Sequence, residues 1–441
     1  MSFEEMLPDD FVWGVATSAY QIEGAADADG RGESIWDRFS HTPGNTFEGD
    51  TGDVACDHYN RWPEDVSLMR QLGVGGYRFS IAWPRVFPNG AGALNSKGLD
   101  FYDKLVDGLL EAGISPFPTL YHWDLPQALE DAGGWMNRDT AYRFAEYAAV
   151  VADRLGDRVE KWWTINEPWC AAELGYRFGV HAPGRKEDRW LGATHHALLA
   201  HGLGMQAIRS ASPSAQVGIV INVDAVLPRS SHPADVRAAA MVELTRNNWY
   251  LEPVLEGRHP AAAVEHYGWD QGEVHDGDME VIGAPMGHFG INYYSRQVIS
   301  DVSIGDEVRP EPLVETDLPR TTMGWEVYPD GLRDLLIQYH RDFDLPPLYV
   351  TESGVAFPDE LVDGAVHDEN RRAYLESHFA AAAEACTAGV DLRGYFIWSL
   401  LDNFEWQHGY SQRFGLVWTD YETQRRIIKD SGHWFAGVTS G

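Results

Sequence analysis

The chain has 441 residues, with 34 Lys+Arg against 67 Asp+Glu and a formal net charge of −33. No basic stripe interrupts this excess, which excludes nucleic acid and anionic membrane surfaces as partners. With 44% hydrophobic residues, including 17 Trp, 19 Tyr and 18 Phe, the chain has apolar surface for a large core, and disorder is excluded.

Apolar runs of strand length recur along the chain, separated by longer stretches with helical apolar spacing. The first is FVWGVAT (11–17), followed by a long loop over 24–60 and a helix that Pro63 and Glu64 open and Leu72 closes. YRFSIAW (77–83) and PFPTLYHW (116–123) are the second and third. A helix over 137–155 leads into KWWTINE (161–167), after which a loop over 168–192 precedes a helix from Thr194 to Ser210. VGIVINV (217–223), HFGINYY (288–294), LYVTES (348–353) and LRGYFIWSL (392–400) complete eight, with a loop over 301–328 and a helix from Glu369 to Ala388. No linker divides these units. The pattern predicts one α/β domain over 1–441, a (β/α)8 TIM barrel with enlarged βα loops.

In such a barrel the reacting groups stand at the carboxyl ends of the strands. Those ends offer Gln21 and Glu23 after the first run, Arg78 in the second, His122 at the third, and Asn166 and Glu167 at the fourth. Asn292 and Tyr294 end the sixth, Glu352 the seventh, and Trp398, Glu405 and Trp406 lie at or beyond the eighth. Glu167 and Glu352 fall on facing parts of the rim. Cleaving an acetal takes one carboxylic acid to protonate the leaving oxygen and one carboxylate to meet the developing cation, so the pair predicts glycosidic chemistry. Burial beside a second carboxylate raises the pKa of the donor, and an arginine keeps its partner ionised; Arg78 is assigned to Glu352 on these grounds.

The motifs TINEP (164–168), YVTESG (349–354), FVWGVATSAYQIEG (11–24) and WSLLDNFEW (398–406) together resemble glycoside hydrolase family 1, the β-glucosidase family. DVACDHYNRWPEDV (53–66), YRFSIAWPR (77–85), YHWDLPQAL (121–129) and MGWEVYPDGL (323–332) extend the resemblance over nearly the whole chain. It implies a retaining β-glucosidase with Glu167 as acid/base and Glu352 as nucleophile, acting on cellobiose, short oligosaccharides and aryl glucosides, with β-galactosidase and β-fucosidase side activity and transglycosylation. It further implies that Gln21, His122, Asn166, Glu405 and Trp406 bind sugar hydroxyls, with Trp398 as the floor under the ring. Arg78 and Tyr294 would hold the nucleophile, Asn292 would support the acid/base, and Trp169 and Trp325 would flank the leaving group. His181, in a loop, is expected on the leaving-group side as well. The family has Asn where Ser353 follows the nucleophile, and the shorter side chain predicts altered tuning of Glu352 with activity retained.

Other features discriminate among rivals. A carboxylate at Glu405 disfavours a 6-phospho-β-glycosidase, since it would repel a phosphate. The presence of both glutamates disfavours a silent sugar-binding barrel. His195, His196 and His201 lack metal-site spacing and are expected to make packing and polar contacts, and no glycine-rich loop implies an organic cofactor, so neither metal nor cofactor is expected. Cys56, Cys170 and Cys386 are expected to be reduced and structural. The opening MSFEEMLPDD lacks the regions of a signal peptide, and a cytoplasmic location is expected. Acidity with only five lysines, Lys97, Lys104, Lys161, Lys186 and Lys429, fits either salt adaptation or an arginine-biased coding sequence.

Overall fold

A computed structural model describes residues 3–302, 310–312 and 318–440. Eight strands form the barrel: β1 (Val12–Ala16), β2 (Gly76–Ser80), β3 (Ser115–Tyr121), β4 (Lys161–Asn166), β5 (Gln216–Pro228), β6 (Phe289–Asp301), β7 (Leu348–Ser353) and β8 (Leu392–Trp398). Each pairs in parallel with its neighbours in chain order, and β1 pairs with β8 to close the ring. The (β/α)8 architecture expected from the sequence is therefore the fold. Parallel strands covered by helices are buried on both faces, which is why these segments are nearly continuous apolar runs.

Two apolar layers result. The inner one, inside the barrel, contains Ala16, Phe117, Trp163, Val220, Tyr349, Phe396 and Trp398. The outer one joins residues such as Trp162, Ile165, Val350, Tyr395 and Ile397 to the helices. Large aromatic rings inside the barrel demand glycine opposite them. A Cβ on Gly14 would lie 2.3 Å from Phe396 Cδ1, and one on Gly76 would lie 3.2 Å from Phe396 Cε1.

The structure departs from the expected boundaries in three places. The helix assigned to begin at Pro63 begins at His58 and runs to Gln71, with Pro63 inside it. Asp57 caps the start in a left-handed conformation (φ 52°), a turn that propensity alone does not reveal. The helix expected from Thr194 starts at Trp190, and the loop before it contains a π-helix, Cys170–Arg177. β5 and β6 continue past the rim, paired from Ala225–Arg296 to Pro228–Ile299, and Pro310–Pro312 adds an antiparallel strand to β6. The expected loop over 301–328 thus includes some strand, and residues 303–309 and 313–317 of it lie outside the described residues. No helix among the described residues is long and apolar enough to cross a membrane.

Candidate active site

The two strands that carry the glutamates are irregular just before them. Between Trp163 and Asn166, β4 holds one residue more than β5 opposite it, and between Val350 and Glu352, β7 holds one more than β6. Such bulges re-aim side chains and are common beside active sites. On β4, Thr164 faces outward, where its hydroxyl meets His201 at 2.7 Å, and Ile165 packs in the outer layer, so the phase shifts and Asn166 turns inward. On β7, Thr351 and Glu352 both face inward: the Thr351 hydroxyl donates to Asn292 Oδ1 at 2.7 Å. Glu167 follows in the left-handed region (φ 48°), as do Trp123 (φ 75°) and Trp406 (φ 49°), strained conformations that cluster at functional sites. Pro168 contributes by disfavouring the right-handed helical region for the residue before it.

Glu167 and Glu352 are 5% and 3% exposed in one cavity of about 520 Å³. Glu352 accepts from Arg78 Nη1 on one oxygen and from the Tyr294 hydroxyl at 2.7 Å on the other. The Arg78 Nη2 group donates to Asn166 Oδ1 at 2.6 Å, tying the two strands together. Glu167 accepts from Asn292 Nδ2 at 2.6 Å and from the Cys170 thiol at 3.0 Å. Burial, and next the charge of Glu352, push the Glu167 carboxyl up to about 7, against the hydrogen bonds from Cys170 and Asn292. One glutamate is thus a carboxylic acid that holds its proton up to neutral pH, and the other is clamped by a guanidinium.

The remaining predicted residues fall into three groups. His122, Trp398, Glu405 and Trp406 line the cavity. Burial and Arg78 depress the His122 pKa well below the usual range, so the imidazole is neutral. Asn166 Nδ2 donates to its Nε2 at 3.1 Å, which assigns the proton to Nδ1, a buried donor with no protein partner. Glu405 Oε2 is likewise shielded and unpartnered. Buried polar atoms of this kind are normally satisfied, and a ring of them around one cavity fits a ligand rich in hydroxyls.

Gln21 is fully buried behind this surface, accepting from Ser18 at 2.5 Å and donating to Asn403 Oδ1 at 3.0 Å and the Phe404 carbonyl at 2.8 Å. It anchors the segment that presents Glu405. Glu23 is taken up by Arg85 and by Tyr102, at 2.9 Å and 2.6 Å. Trp169 and Trp325 line the cavity, packed against Arg246 and Tyr294 respectively. His181 also lines the cavity, its ring packed 5.3 Å from Trp36 and 5.4 Å from Trp123. His195 pairs with Asp278 at 2.8 Å, and His196 with the Trp135 carbonyl at 2.9 Å.

Two sequence readings change. Cys170 is more than a packing residue, because its thiol touches Glu167; three residues after the glutamate on a helix was the available signal. Ser353 does not face Glu352 at all. The bulge turns it outward, where its hydroxyl lies 3.0 Å from that of Tyr374. Ser353→Ala is therefore expected to leave kcat/KM within about twofold while costing about 1 kcal/mol of stability, measured by chemical denaturation. Trp123, inside the YHWDLPQAL motif, also lines the cavity, as do Asn222, Asp224, Arg246 and Gln297, which carried no sequence motif.

Glu405 sets a second pH effect. Burial first, then Glu352 and Glu167, raise its pKa to about 8 from the ordinary 4.5. Between those values the folded state binds a proton that the unfolded state has lost, so stability falls as pH rises across this window. Glu405→Gln is expected to melt at a higher temperature than the unsubstituted protein at pH 8, with the gap closing at pH 4.5. A constant gap would exclude this linkage.

A closed (β/α)8 barrel whose strand ends join a neutral-pH carboxylic acid to an arginine-clamped carboxylate in one unpartnered polar cavity is a glycoside hydrolase. The chain belongs to glycosyl hydrolase family 1, whose model matches residues 3–441. It is 48% identical to beta-glucosidase A of Thermotoga maritima over 98% of this chain and 97% of that protein. It is 45% identical to a bifunctional beta-D-glucosidase/beta-D-fucosidase of Bifidobacterium breve over 98% and 97%. The solved structure of the Thermotoga maritima beta-glucosidase in complex with glucoimidazole covers 98% of each chain at a TM-score of 0.94 and 46% identity.

Proposed function

We propose that this protein is a retaining, exo-acting β-glucosidase that releases terminal β-D-glucosyl units from cellobiose, short oligosaccharides and aryl β-glucosides. Side activity on β-fucosides and β-galactosides and transfer to sugar acceptors belong to the same reading, the fucoside part supported by the Bifidobacterium relative. The observation that carries it is the unequal pair: a Glu167 carboxyl protonated to about 7 and a Glu352 carboxylate clamped by Arg78.

The Glu352 carboxylate attacks the anomeric carbon as the glycosidic C–O bond breaks, and Glu167 delivers its proton to the departing oxygen. Formation of the glycosyl ester removes the charge of Glu352. That charge is one of the causes holding the Glu167 proton, so the pKa of Glu167 falls just when it must act as a base. Glu167 then takes a proton from water, which attacks the same carbon and frees Glu352. Arg78 and Tyr294 fix the nucleophile, and Asn292 fixes the acid/base. His122 Nδ1, Asn166 and Glu405 are suited to the hydroxyls of the glucosyl ring, with Gln21 behind them, and the indoles of Trp398 and Trp406 to its apolar C–H faces.

The test is a comparison of aryl β-glucoside with its 6-phosphorylated form. The Glu352 carboxylate opposes a phosphate, as does Glu405 once it ionises above about 8, and like-charge contacts cost several kcal/mol. The free glucoside is expected to be the better substrate by at least about 100-fold in kcat/KM. Faster turnover of the phosphorylated form would overturn the reading in favour of a 6-phospho-β-glycosidase. Sugar binding with no product over hours would overturn it in favour of a silent barrel.

A further inference from the structure

Cys170 opens the π-helix Cys170–Arg177, and the Ala171 N–H, donating to the Glu167 carbonyl at 3.3 Å, closes the turn that folds it back onto that glutamate. Its Sγ lies 3.0 Å from Glu167 Oε2 and accepts from Asn222 Nδ2, on β5, at 3.7 Å. The two carboxyl oxygens of Glu167 are thus divided. Oε1 accepts from Asn292 Nδ2 at 2.6 Å, and Oε2 has the thiol as its one hydrogen-bond partner among the described residues. An oxygen already accepting from an amide is the poorer place for a proton, so the acidic proton belongs on Oε2, beside the sulfur.

The two steps of the reaction ask opposite things of a partner at that oxygen. In the first, Oε2 carries the proton and must release it to the departing oxygen, so a strong acceptor there would hinder transfer. In the second, Oε2 is charged until it takes a proton from water, and a donor beside it stabilises that charge. A thiol serves both steps, because sulfur is a weak acceptor and S–H a weak donor. Burial, and next the charge of Glu167, hold the Cys170 thiol well above its ordinary range, so it stays S–H and never competes as an anion. A serine hydroxyl would bond the carboxylate more strongly and favour its charged form, whereas alanine would offer no donor. The other charged or titratable groups acting on Glu167 are Glu352 on β7, Tyr294 on β6, Glu405 beyond β8 and Arg246 on the π-helix Glu243–Asn248. A substitution at Cys170 leaves each of these in place.

We propose that Cys170 is a positioning residue for the acid/base: its sulfur, held by Asn222, accepts from the Glu167 Oε2 hydroxyl before proton transfer, and its S–H donates to the same oxygen afterwards. The inference rests on the β-glucosidase reading and adds to it the group that lets one carboxyl act first as acid and then as base.

The test uses the full chain with Cys170→Ala and Cys170→Ser. Two readouts apply, the pH dependence of kcat/KM on cellobiose and a carbon NMR titration of the labelled Glu167 carboxyl. Since the thiol favours the charged form of Glu167, its loss in Cys170→Ala should move the alkaline limb, and the NMR titration with it, up by about 0.5–1 pH unit, the effect of one hydrogen bond. Cys170→Ser, with the stronger donor, should titrate at or below the parent. On 2,4-dinitrophenyl β-glucoside, whose first step needs no acid, kcat/KM of both variants should stay within about twofold of the parent, which a general packing defect would not spare. A limb that Cys170→Ala leaves in place or moves down, or that both variants move up equally, would overturn the proposal. A parent profile with no alkaline limb would overturn the acid/base reading, and this inference with it. The NMR titration needs no turnover and so tells the two failures apart.

Discussion

Glu352→Ala is expected to lose roughly 10⁵-fold in kcat/KM on an aryl β-glucoside, since removing the nucleophile of a covalent mechanism abolishes the intermediate and leaves only binding and residual polar stabilisation. The assay is initial rate at matched, verified folding. Folding needs attention because Arg78 is fully buried and keeps only Asn166 and the Thr351 carbonyl as acceptors once the carboxylate is gone. Stranding a buried charge costs about 3–5 kcal/mol. Glu352→Gln, which keeps an acceptor for Arg78 and a partner for Tyr294, separates the two effects: it should be comparably inactive and closer to the parent in stability. Wild-type turnover by either folded variant would remove Glu352 from the mechanism. The same variant reports on the coupled acid. With the charge of Glu352 gone, Glu167 should titrate below about 7, a shift measurable by carbon NMR of the labelled carboxyl.

Glu167→Ala is expected to separate substrates by their leaving groups. On cellobiose, whose departing oxygen needs a proton, kcat/KM should fall by roughly 10³–10⁴-fold. On 2,4-dinitrophenyl β-glucoside the first step needs no acid, so kcat/KM should change little. There kcat and KM should fall together, because the base for hydrolysing the glycosyl ester is missing and the ester accumulates. The pH profile carries the sign of the same argument. Glu167 must be protonated to act first, so kcat/KM of the unsubstituted enzyme on cellobiose should decline as pH rises through about 7, and the variant should lack that limb. Equal losses on both substrates would rule out Glu167 as the proton donor.

The barrel was legible because its parallel strands are buried on both faces, which leaves unbroken apolar runs that solvent-exposed segments cannot imitate. The helix start at His58 was less legible. Proline is favoured in a first helical turn, and that preference pointed at Pro63, whereas the real boundary depends on a left-handed Asp57 with no glycine to announce it. The extensions of β5 and β6 were hidden for a different reason. Residues 225–228 and 296–299 become strand by pairing with each other, and a partner some seventy residues away leaves no local trace. In the site, Glu167, Glu352, Arg78 and Tyr294 could be named from strand ends and motif; Glu167, Glu352 and Tyr294 meet in one cavity, and Arg78 is buried against Glu352 behind it. Arg246, Asp224 and Gln297 could not, since each comes from a separate segment with no recurring pattern.

The sequence by itself determined the architecture, the identity of the two glutamates and the arginine beside one of them, because these follow from apolar periodicity and from short motifs at strand ends. Only the tertiary structure decided which way the side chains face. One extra residue in β4 and one in β7 reverse the strand phase just before Glu167 and Glu352, sending Ser353 out to Tyr374 and turning Glu352 in to Arg78. A bulge is a mismatch between neighbouring strands, so no single strand encodes it. The division of labour between the carboxyls has the same origin. Their protonation depends on burial and on charges brought together from distant strands, and neither exists until the barrel closes.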